Sequence, residues 1–173
     1  MKERIIVIAY TGAGKTEMLK RYEGIYNPSS DDYRYIFDKD LPPEQRKSNP
    51  DRKENPEFPN NFIDAIHSGL DDNIVLLPLT KKLFELYLNE DFKQKMKGAR
   101  IIVACPRKND FAEYKKRFEE RGNIETFIEN RQKEFSFIMD TFENMQDFEK
   151  IIIKPGQFLD QALIGHGIQL KPK

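Results

Sequence analysis

The chain has 173 residues, of which 29 are Lys or Arg and 29 are Asp or Glu, so its formal net charge is zero. This length supports one domain with a shielded core, and the charge balance excludes a global positive field that would gather nucleic acid. The single cysteine, Cys105, cannot form an internal disulfide, and no apolar run is long enough to cross a bilayer. We therefore expect a single cytoplasmic domain over residues 1–173 with no membrane partner.

Apolar runs without alternation predict strands that are covered on both faces of a parallel sheet. They cover residues 4–10, 24–27, 73–79, 100–105 and 150–154. Helical spacing of apolar residues predicts helices over residues 15–22, 62–69, 80–88, 110–121, 125–145 and 158–164. Because strand and helix alternate, the sequence predicts an α/β fold in which helices flank a five-stranded parallel sheet.

Residues 38–61 are the exception to this alternation. The segment contains Pro42, Pro43, Pro50, Pro56 and Pro59 among charged and Asn residues. Proline removes a backbone donor, so we predict neither a strand nor a long helix there. A long excursion from a compact domain is usually a functional loop, and we interpret it as a lid or excursion on the substrate side.

Residues 9–16 read A-Y-T-G-A-G-K-T, which fits the Walker A pattern with alanine in place of its first glycine. Two glycines allow backbone amides to curl around phosphate oxygens, Lys15 reaches the β and γ phosphates, and the Thr16 hydroxyl binds Mg²⁺. The predicted ATP-binding residues here are Thr11, Gly12, Ala13, Gly14, Lys15 and Thr16. A glycine-rich turn without a ligand is the alternative, but it leaves Lys15 and Thr16 without a purpose.

Arginines mark residues 107–131 as a second half of the site. Arg117 and Arg121 lie four residues apart on one predicted helix, so both guanidinium groups can reach one ligand, and Arg131 can join them from the next helix. Phosphoryl transfer requires such cations because the transferred group carries negative charge. The alternative is a solvated face that pairs with Glu119, Glu120 and Glu129.

The succession of the Walker A strand, "KRFEERGNIETFIENR", a last strand and "KPG" resembles nucleoside monophosphate kinases, and most closely the guanylate kinase lid. The resemblance implies a P-loop NTPase fold with nucleotide kinase-like topology, lid roles for Arg117, Arg121 and Arg131, and an adenine-side loop at Lys154, Pro155 and Gly156. It also implies ATP and Mg²⁺ as cofactors and a nucleotide or nucleoside monophosphate as the acceptor. The whole chain is similar to small kinase-like ATP-binding proteins of bacterial viruses.

A second stretch, "GIYNPSSDDYRYIF", resembles the segment after the second strand of polynucleotide 5′-kinases. There the resemblance implies that Asp31 accepts the proton of an attacking hydroxyl, that Arg34 binds phosphate and that Arg121 is the lid arginine. A hydroxyl acceptor needs a base, whereas a monophosphate acceptor needs cations, so Asp31 discriminates between the two hypotheses. The alternative role for Asp31 is a helix N-cap.

The third predicted strand ends in Pro78, Leu79 and Thr80, where many such kinases hold an acidic residue for Mg²⁺. Metal binding must then depend on Thr16, the nucleotide phosphates and Asp31. A third hypothesis follows, in which the protein is a nucleotide-binding regulator with little catalysis.

The acceptor side is predicted to follow the second strand. Its candidate ligands are Ser29, Ser30, Arg34, Arg52 and Arg131. Phe58 and Phe62 either stack on a base or enter the core. We expect a small-molecule nucleotide as the acceptor, with nucleic acid as the alternative; the sequence predicts no oligomeric state.

Overall fold

The computed structural model describes residues 2–36, 42 and 52–173. In chain order, its strands are β1 (Ile5–Tyr10), β2 (Tyr22–Glu23), β3 (Ile25–Tyr26), β4 (Tyr35–Ile36), β5 (Lys53–Glu54), β6 (Ile74–Leu79), β7 (Arg100–Pro106), β8 (Glu149–Ile153) and β9 (Lys171–Pro172). The helices are α1 (Lys15–Arg21), α2 (Ser30–Arg34), α3 (Asn60–Gly69), α4 (Lys81–Tyr87), α5 (Glu90–Lys95), α6 (Phe111–Glu120), α7 (Glu125–Asn144) and α8 (Leu159–Gly165). Among these helices, none is both long and apolar enough to traverse a bilayer.

The main sheet has five parallel strands in the order β3-β6-β1-β7-β8, which confirms the predicted fold class. Strand β1 lies in the middle, with Ile8 opposite Leu77 of β6 and Val103 of β7. The carboxyl end of β1 therefore lies between two neighbouring strands, at the edge of a parallel sheet where ligands usually bind.

Strand β1 is buried on both faces because every residue of it is apolar or aromatic. Ile6, Ile8 and Tyr10 pack in one core cluster with the aromatic side chains of α3, α4 and α6. The residues between them, Ile5, Val7 and Ala9, point to the other face of the sheet and pack in a second cluster with α1 and α8. This is the burial that the unbroken apolar run predicted.

The segment after β6 contains one helix more than the sequence predicts. The helix predicted over residues 80–88 is confirmed as α4, and α5 follows it at Glu90–Lys95, where no helix was predicted. Asn89 separates them because its side chain accepts a hydrogen bond from the Asp91 amide at 2.9 Å and caps α5.

The prediction that residues 38–61 contain no strand is wrong at Lys53–Glu54. Strand β5 pairs there with β4 in an antiparallel ladder, with Tyr35 opposite Glu54. Helix α3 also begins within the segment, at Asn60. Residues 38–41 and 43–51, and with them most of the excursion interpreted as a lid, lie outside the described part of the chain.

Candidate active site

The phosphate loop, residues 9–16, joins the end of β1 to the start of α1. Gly12 and Gly14 have φ values of 84° and 111°, in the left-handed region that favours glycine. The Ala13 amide donates to the Tyr10 carbonyl at 3.1 Å and closes the turn. Among the described residues, no acceptor pairs with the amides of Gly14, Lys15 and Thr16. The turn therefore presents free donors of the kind that hold phosphate oxygens.

Lys15 is the charged residue of this loop. Its ammonium group donates to the Ala9 carbonyl at 2.9 Å, and no carboxylate in the described ranges forms an ion pair with it. Burial, together with the smaller effect of the nearby positive charge of Arg121, lowers the pKa of Lys15 to about 8. An anion beside Lys15 would compensate for both effects.

A cavity of about 860 Å³ begins at the phosphate loop. Thr11, Lys15 and Thr16 line one part of it. Residues from α2 to α7 line the rest, and they include Ser29, Ser30, Asp31, Arg34, Glu54, Asn55, Phe58, Pro59, Lys82, Leu83, Leu86, Arg121, Phe127, Arg131 and Glu134. The structure thus brings together the phosphate loop and most of the predicted acceptor residues in one cleft.

Asp31 lies in the first turn of α2, but it is not the helix cap. Ser29 occupies the cap position, and the Asp31 side chain makes no hydrogen bond or ion pair within the described residues. The alternative role of Asp31 as an N-cap is therefore wrong. Its carboxylate lines the cleft, where it is free to accept a proton or a hydrogen bond from a ligand.

The arginines that line the cleft differ in how they are paired. Arg34 lies 3.8 Å from Glu54, and Arg131 lies 3.3 Å from Glu134, which is one turn further along α7. Arg121 is exposed, and no described carboxylate pairs with it. Arg121 is thus the cleft arginine that can bind an anion without first losing a partner.

Arg117 points away from the cleft. Its guanidinium group donates to the Gly12 carbonyl at 3.0 Å and to the Gln157 carbonyl at 2.8 Å, and it pairs with Glu113 at 3.0 Å. The rings of Tyr114 and Phe158 flank it, and only 11% of the side chain is exposed. The prediction that Arg117 and Arg121 reach one ligand is not met in this structure, because tertiary contacts fix Arg117 behind the phosphate loop.

The turn after β8 also lies outside the cleft lining. Lys154, Pro155 and Gly156 are exposed. The Gly156 amide donates to the Glu113 carboxylate at 2.6 Å, so the turn closes onto α6. Adenine contacts for Pro155 and Gly156 stay a prediction.

Some of the other residues predicted to contact the acceptor line the cleft, and others do not. The Arg52 guanidinium lies 3.9 Å from the centre of the Tyr35 ring, and Arg52 does not line the cleft. Phe62 is completely buried in the core, whereas Phe58 is half-buried and lines the cleft. Of the two aromatic residues, Phe58 alone lies where it can touch a ligand in the cleft.

The metal site expected from the sequence has few protein ligands. Thr16 and Asp31 both line the cleft. At the end of β6, Pro78 offers no carboxylate, and the Thr80 hydroxyl accepts from the Leu83 amide at 3.3 Å as the cap of α4. No group of three potential metal-ligating residues occurs in the part of the chain that is described. Of these residues, Thr16 could hold Mg²⁺ together with nucleotide phosphates, and Asp31 could add a carboxylate oxygen only where it does not serve as a base.

Sequence reasoning missed several residues of the cleft. Lys82, Leu83 and Leu86 come from α4 and Phe127 comes from α7, and none of these four side chains was predicted to contact a ligand. Glu134 gave one signal, because a carboxylate three residues after Arg131 on a helix favours an ion pair.

Comparisons with solved structures agree with this architecture. A gluconokinase from Sinorhizobium meliloti 1021 superposes with a TM-score of 0.51 at 14% identity, covering 94% of this chain and 87% of that chain. The tunicamycin resistance protein of Deinococcus radiodurans superposes with a TM-score of 0.52 at 14% identity, covering 99% of this chain and 100% of that chain. The chain has a P-loop kinase-like fold. No protein-family model matches the sequence, and no curated protein sequence matches it.

Proposed function

We propose that this protein transfers the terminal phosphoryl group of ATP to a hydroxyl group of a small molecule, with Asp31 as the base. The observation that carries the proposal is that the Asp31 carboxylate, with which no described residue pairs, shares one cleft with Lys15, Thr16 and Arg121. A hydroxyl is a weak nucleophile, and a positioned carboxylate increases its reactivity by taking its proton. The P-loop kinase-like fold supports the same class of reaction.

The transfer would use each of these groups in a separate role. Lys15 and the free amides of the phosphate loop bind the β and γ phosphates. Asp31 takes the proton as the acceptor oxygen forms a bond to the γ-phosphorus, and the bond from that phosphorus to the β,γ-bridging oxygen breaks. The products are ADP and a phosphate ester. Arg121 binds the equatorial oxygens of the transferred group, and magnesium, when bound near Thr16, neutralises charge on the phosphates.

Transfer to a nucleoside monophosphate, which the lid resemblance implies, is a second candidate. Its support is that Arg34, Arg121 and Arg131 all line the cleft. Two of these arginines are already paired with carboxylates, so the acceptor phosphate would have to displace Glu54 or Glu134.

Incubation with labelled ATP and Mg²⁺ tests these candidates. The acceptor panel contains nucleosides, sugars and 5′-hydroxyl oligonucleotides on one side and nucleoside monophosphates on the other. We expect label on a hydroxyl compound. Label on monophosphates alone would support the second candidate, and no transfer to any acceptor would support a nucleotide-binding regulator with little catalysis.

The Asp31→Asn variant tests the base directly. It keeps the size of the side chain but cannot accept the proton, so we expect kcat to fall by about 10²–10⁴ while ATP affinity changes little. Asp32→Asn is the matched control, because Asp32 is the exposed neighbour and does not line the cleft. Equal kcat values for the two variants would remove Asp31 from the mechanism.

A further inference from the structure

Part of the cleft surface is apolar. The lining includes five apolar side chains from three separate segments, namely Phe58, Pro59, Leu83, Leu86 and Phe127. The two aromatic rings rest on buried partners, since Phe58 stacks on Phe62 at 6.1 Å and Phe127 meets Phe118 edge to face at 5.6 Å. We call these five residues the apolar wall. Because buried rings support it, the wall offers a fixed surface for a ligand ring.

The charges around the apolar wall largely cancel. Arg34 is paired with Glu54, and Arg131 with Glu134. The Arg131 and Glu134 side chains are only 16% and 22% exposed, so their pair lies partly out of water. A phosphate dianion that bound Arg131 would lie beside the Glu134 carboxylate, which is unfavourable at low exposure.

Among the described residues, two cations of the cleft have no carboxylate partner, Arg121 and Lys82, apart from Lys15 of the phosphate loop. Arg121 lies close enough to Lys15 to lower its pKa, so it serves the triphosphate end. Lys82 is exposed and also lines the cleft without a described carboxylate partner. Beyond the triphosphate end, the described residues therefore offer one free cation and not a set of them for a second phosphate.

The size of the cleft restricts the acceptor further. Its volume of about 860 Å³ must hold the reacting phosphates as well as the acceptor. Pockets of roughly 300–1,000 Å³ accommodate one drug-sized ligand. The cleft therefore has room for a single small molecule beside a triphosphate.

From these contacts we infer that the acceptor is an uncharged hydroxylated compound that carries a planar ring, and that it is not a monophosphate. The inference rests on the proposed function for the role of the hydroxyl group. The ring lies on the apolar wall, and the hydroxyl group faces Asp31. The Arg131–Glu134 pair stays intact and supplies hydrogen-bond donors and acceptors to neutral polar groups of the acceptor.

Calorimetric titration without turnover tests this inference separately from catalysis. Thymidine, thymidine 5′-monophosphate and ribose are each titrated into the protein saturated with a non-hydrolysable ATP analogue and Mg²⁺. We expect thymidine to bind at least about tenfold more tightly than either of the others, because only thymidine is both neutral and equipped with a planar ring. Equal or tighter binding of the monophosphate or of ribose, or no binding of thymidine, would overturn the inference.

Two variants identify the responsible residues. Glu134→Gln releases Arg131 from its partner, so the affinity for thymidine 5′-monophosphate relative to thymidine should rise about tenfold. Phe127→Leu reduces the apolar wall and should weaken thymidine binding several-fold while ribose binding is unchanged. The matched controls are Glu129→Gln and Phe137→Leu, exposed residues of α7 that do not line the cleft.

Each variant result has a contrary outcome. An unchanged ratio in Glu134→Gln, or an unchanged thymidine affinity in Phe127→Leu, would contradict the assigned role of that side chain. Failure of the proposed function has a different signature: thymidine would bind with the expected preference, yet labelled ATP would phosphorylate no hydroxyl compound.

Discussion

Lys15 shows how one residue couples phosphate binding to protonation. In the free protein its ammonium group is held by the Ala9 carbonyl, and burial lowers its pKa to about 8 from the usual 10.5. A bound phosphate restores a favourable environment for the charge and raises that pKa. The free protein and the phosphate-bound protein therefore bind different numbers of protons above pH 8.

This difference sets the pH dependence of ATP binding. Below pH 8, Lys15 is protonated in both states, and its contribution to affinity is constant. Above pH 8, the free protein loses the proton that the complex needs, so affinity should fall by up to about tenfold per pH unit. Titration calorimetry at pH 8.5, in two buffers of different ionisation enthalpy, measures the proton that binding takes up.

The control for this experiment is Lys82→Gln, which changes an exposed lysine of the same cleft and should leave the proton uptake intact. Binding without proton uptake at pH 8.5 would show that Lys15 does not pair with the phosphates.

The lowered pKa of Lys15 also affects the stability of the fold, and the sign of this effect is definite. The lowered pKa of Lys15 disfavours the folded state fully below pH 8, and this cost diminishes as pH rises towards 10.5.

At the scale of elements, Arg117 joins three segments behind the phosphate loop. Its guanidinium group donates hydrogen bonds to the Gly12 carbonyl in the loop, to the Gln157 carbonyl in the turn after β8 and to the Glu113 carboxylate on its own helix. Each bond involves a charged group that is largely removed from water, so the loss of all three leaves backbone carbonyls without donors. The shape of the phosphate loop thus depends on a residue that does not line the cleft.

Arg117→Met should lower the free energy of unfolding by about 2–4 kcal/mol, because it removes these hydrogen bonds while keeping an unbranched side chain. It should also raise the KM for ATP more than it changes kcat. Urea denaturation and initial rates measure the two effects. Lys116→Met, at the exposed neighbouring position, is the control, and a similar stability for both variants would contradict the role assigned to Arg117.

The elements differ in how far the sequence predicts them. The strands of the main sheet were predicted to within one or two residues, because β1 and its neighbours are unbroken apolar runs between polar segments. Helix α5 was not predicted, because a single capping side chain, Asn89, begins it inside a charged stretch. The position of Arg117 depends on the Gln157 carbonyl, forty residues away, and helical spacing alone carries no information about such a contact.

The residues of the site also differ in how far the sequence predicts them. Lys15 and Thr16 were predicted because the Walker A pattern fixes their positions within eight consecutive residues. The apolar wall was not predicted, since its side chains come from three segments that meet only after folding. Asp31 was a candidate with two roles, and the geometry of α2 removed one of them.

At the scale of the whole molecule, the sheet separates two core clusters that share its strands. Leu76 and Leu77 are adjacent in β6 and completely buried, but they belong to clusters on opposite faces. Leu76→Ala and Leu77→Ala should each lower the free energy of unfolding by about 2–5 kcal/mol. Each variant should unfold in one transition, because both clusters are built on the same strands.

Circular dichroism and ATP-analogue binding, followed through the same urea titration, measure this cooperativity. Leu88→Ala is a control for side-chain size at a half-buried position outside the cleft lining and should cost less than either core variant. Separate transitions for the two probes would mean that the faces of the sheet unfold independently.

The strand order has one more consequence. Strands β3, β6 and β1 are neighbours, and all three precede the turn at Gly98, whereas β7 and β8 follow it. The backbone passes there from one half of the sheet to the other, with the seam between β1 and β7. A chain cut at that turn would yield two fragments, one with Lys15 and the other with Arg121. If mixing the fragments restored phosphoryl transfer from ATP, β1 and β7 would have paired again.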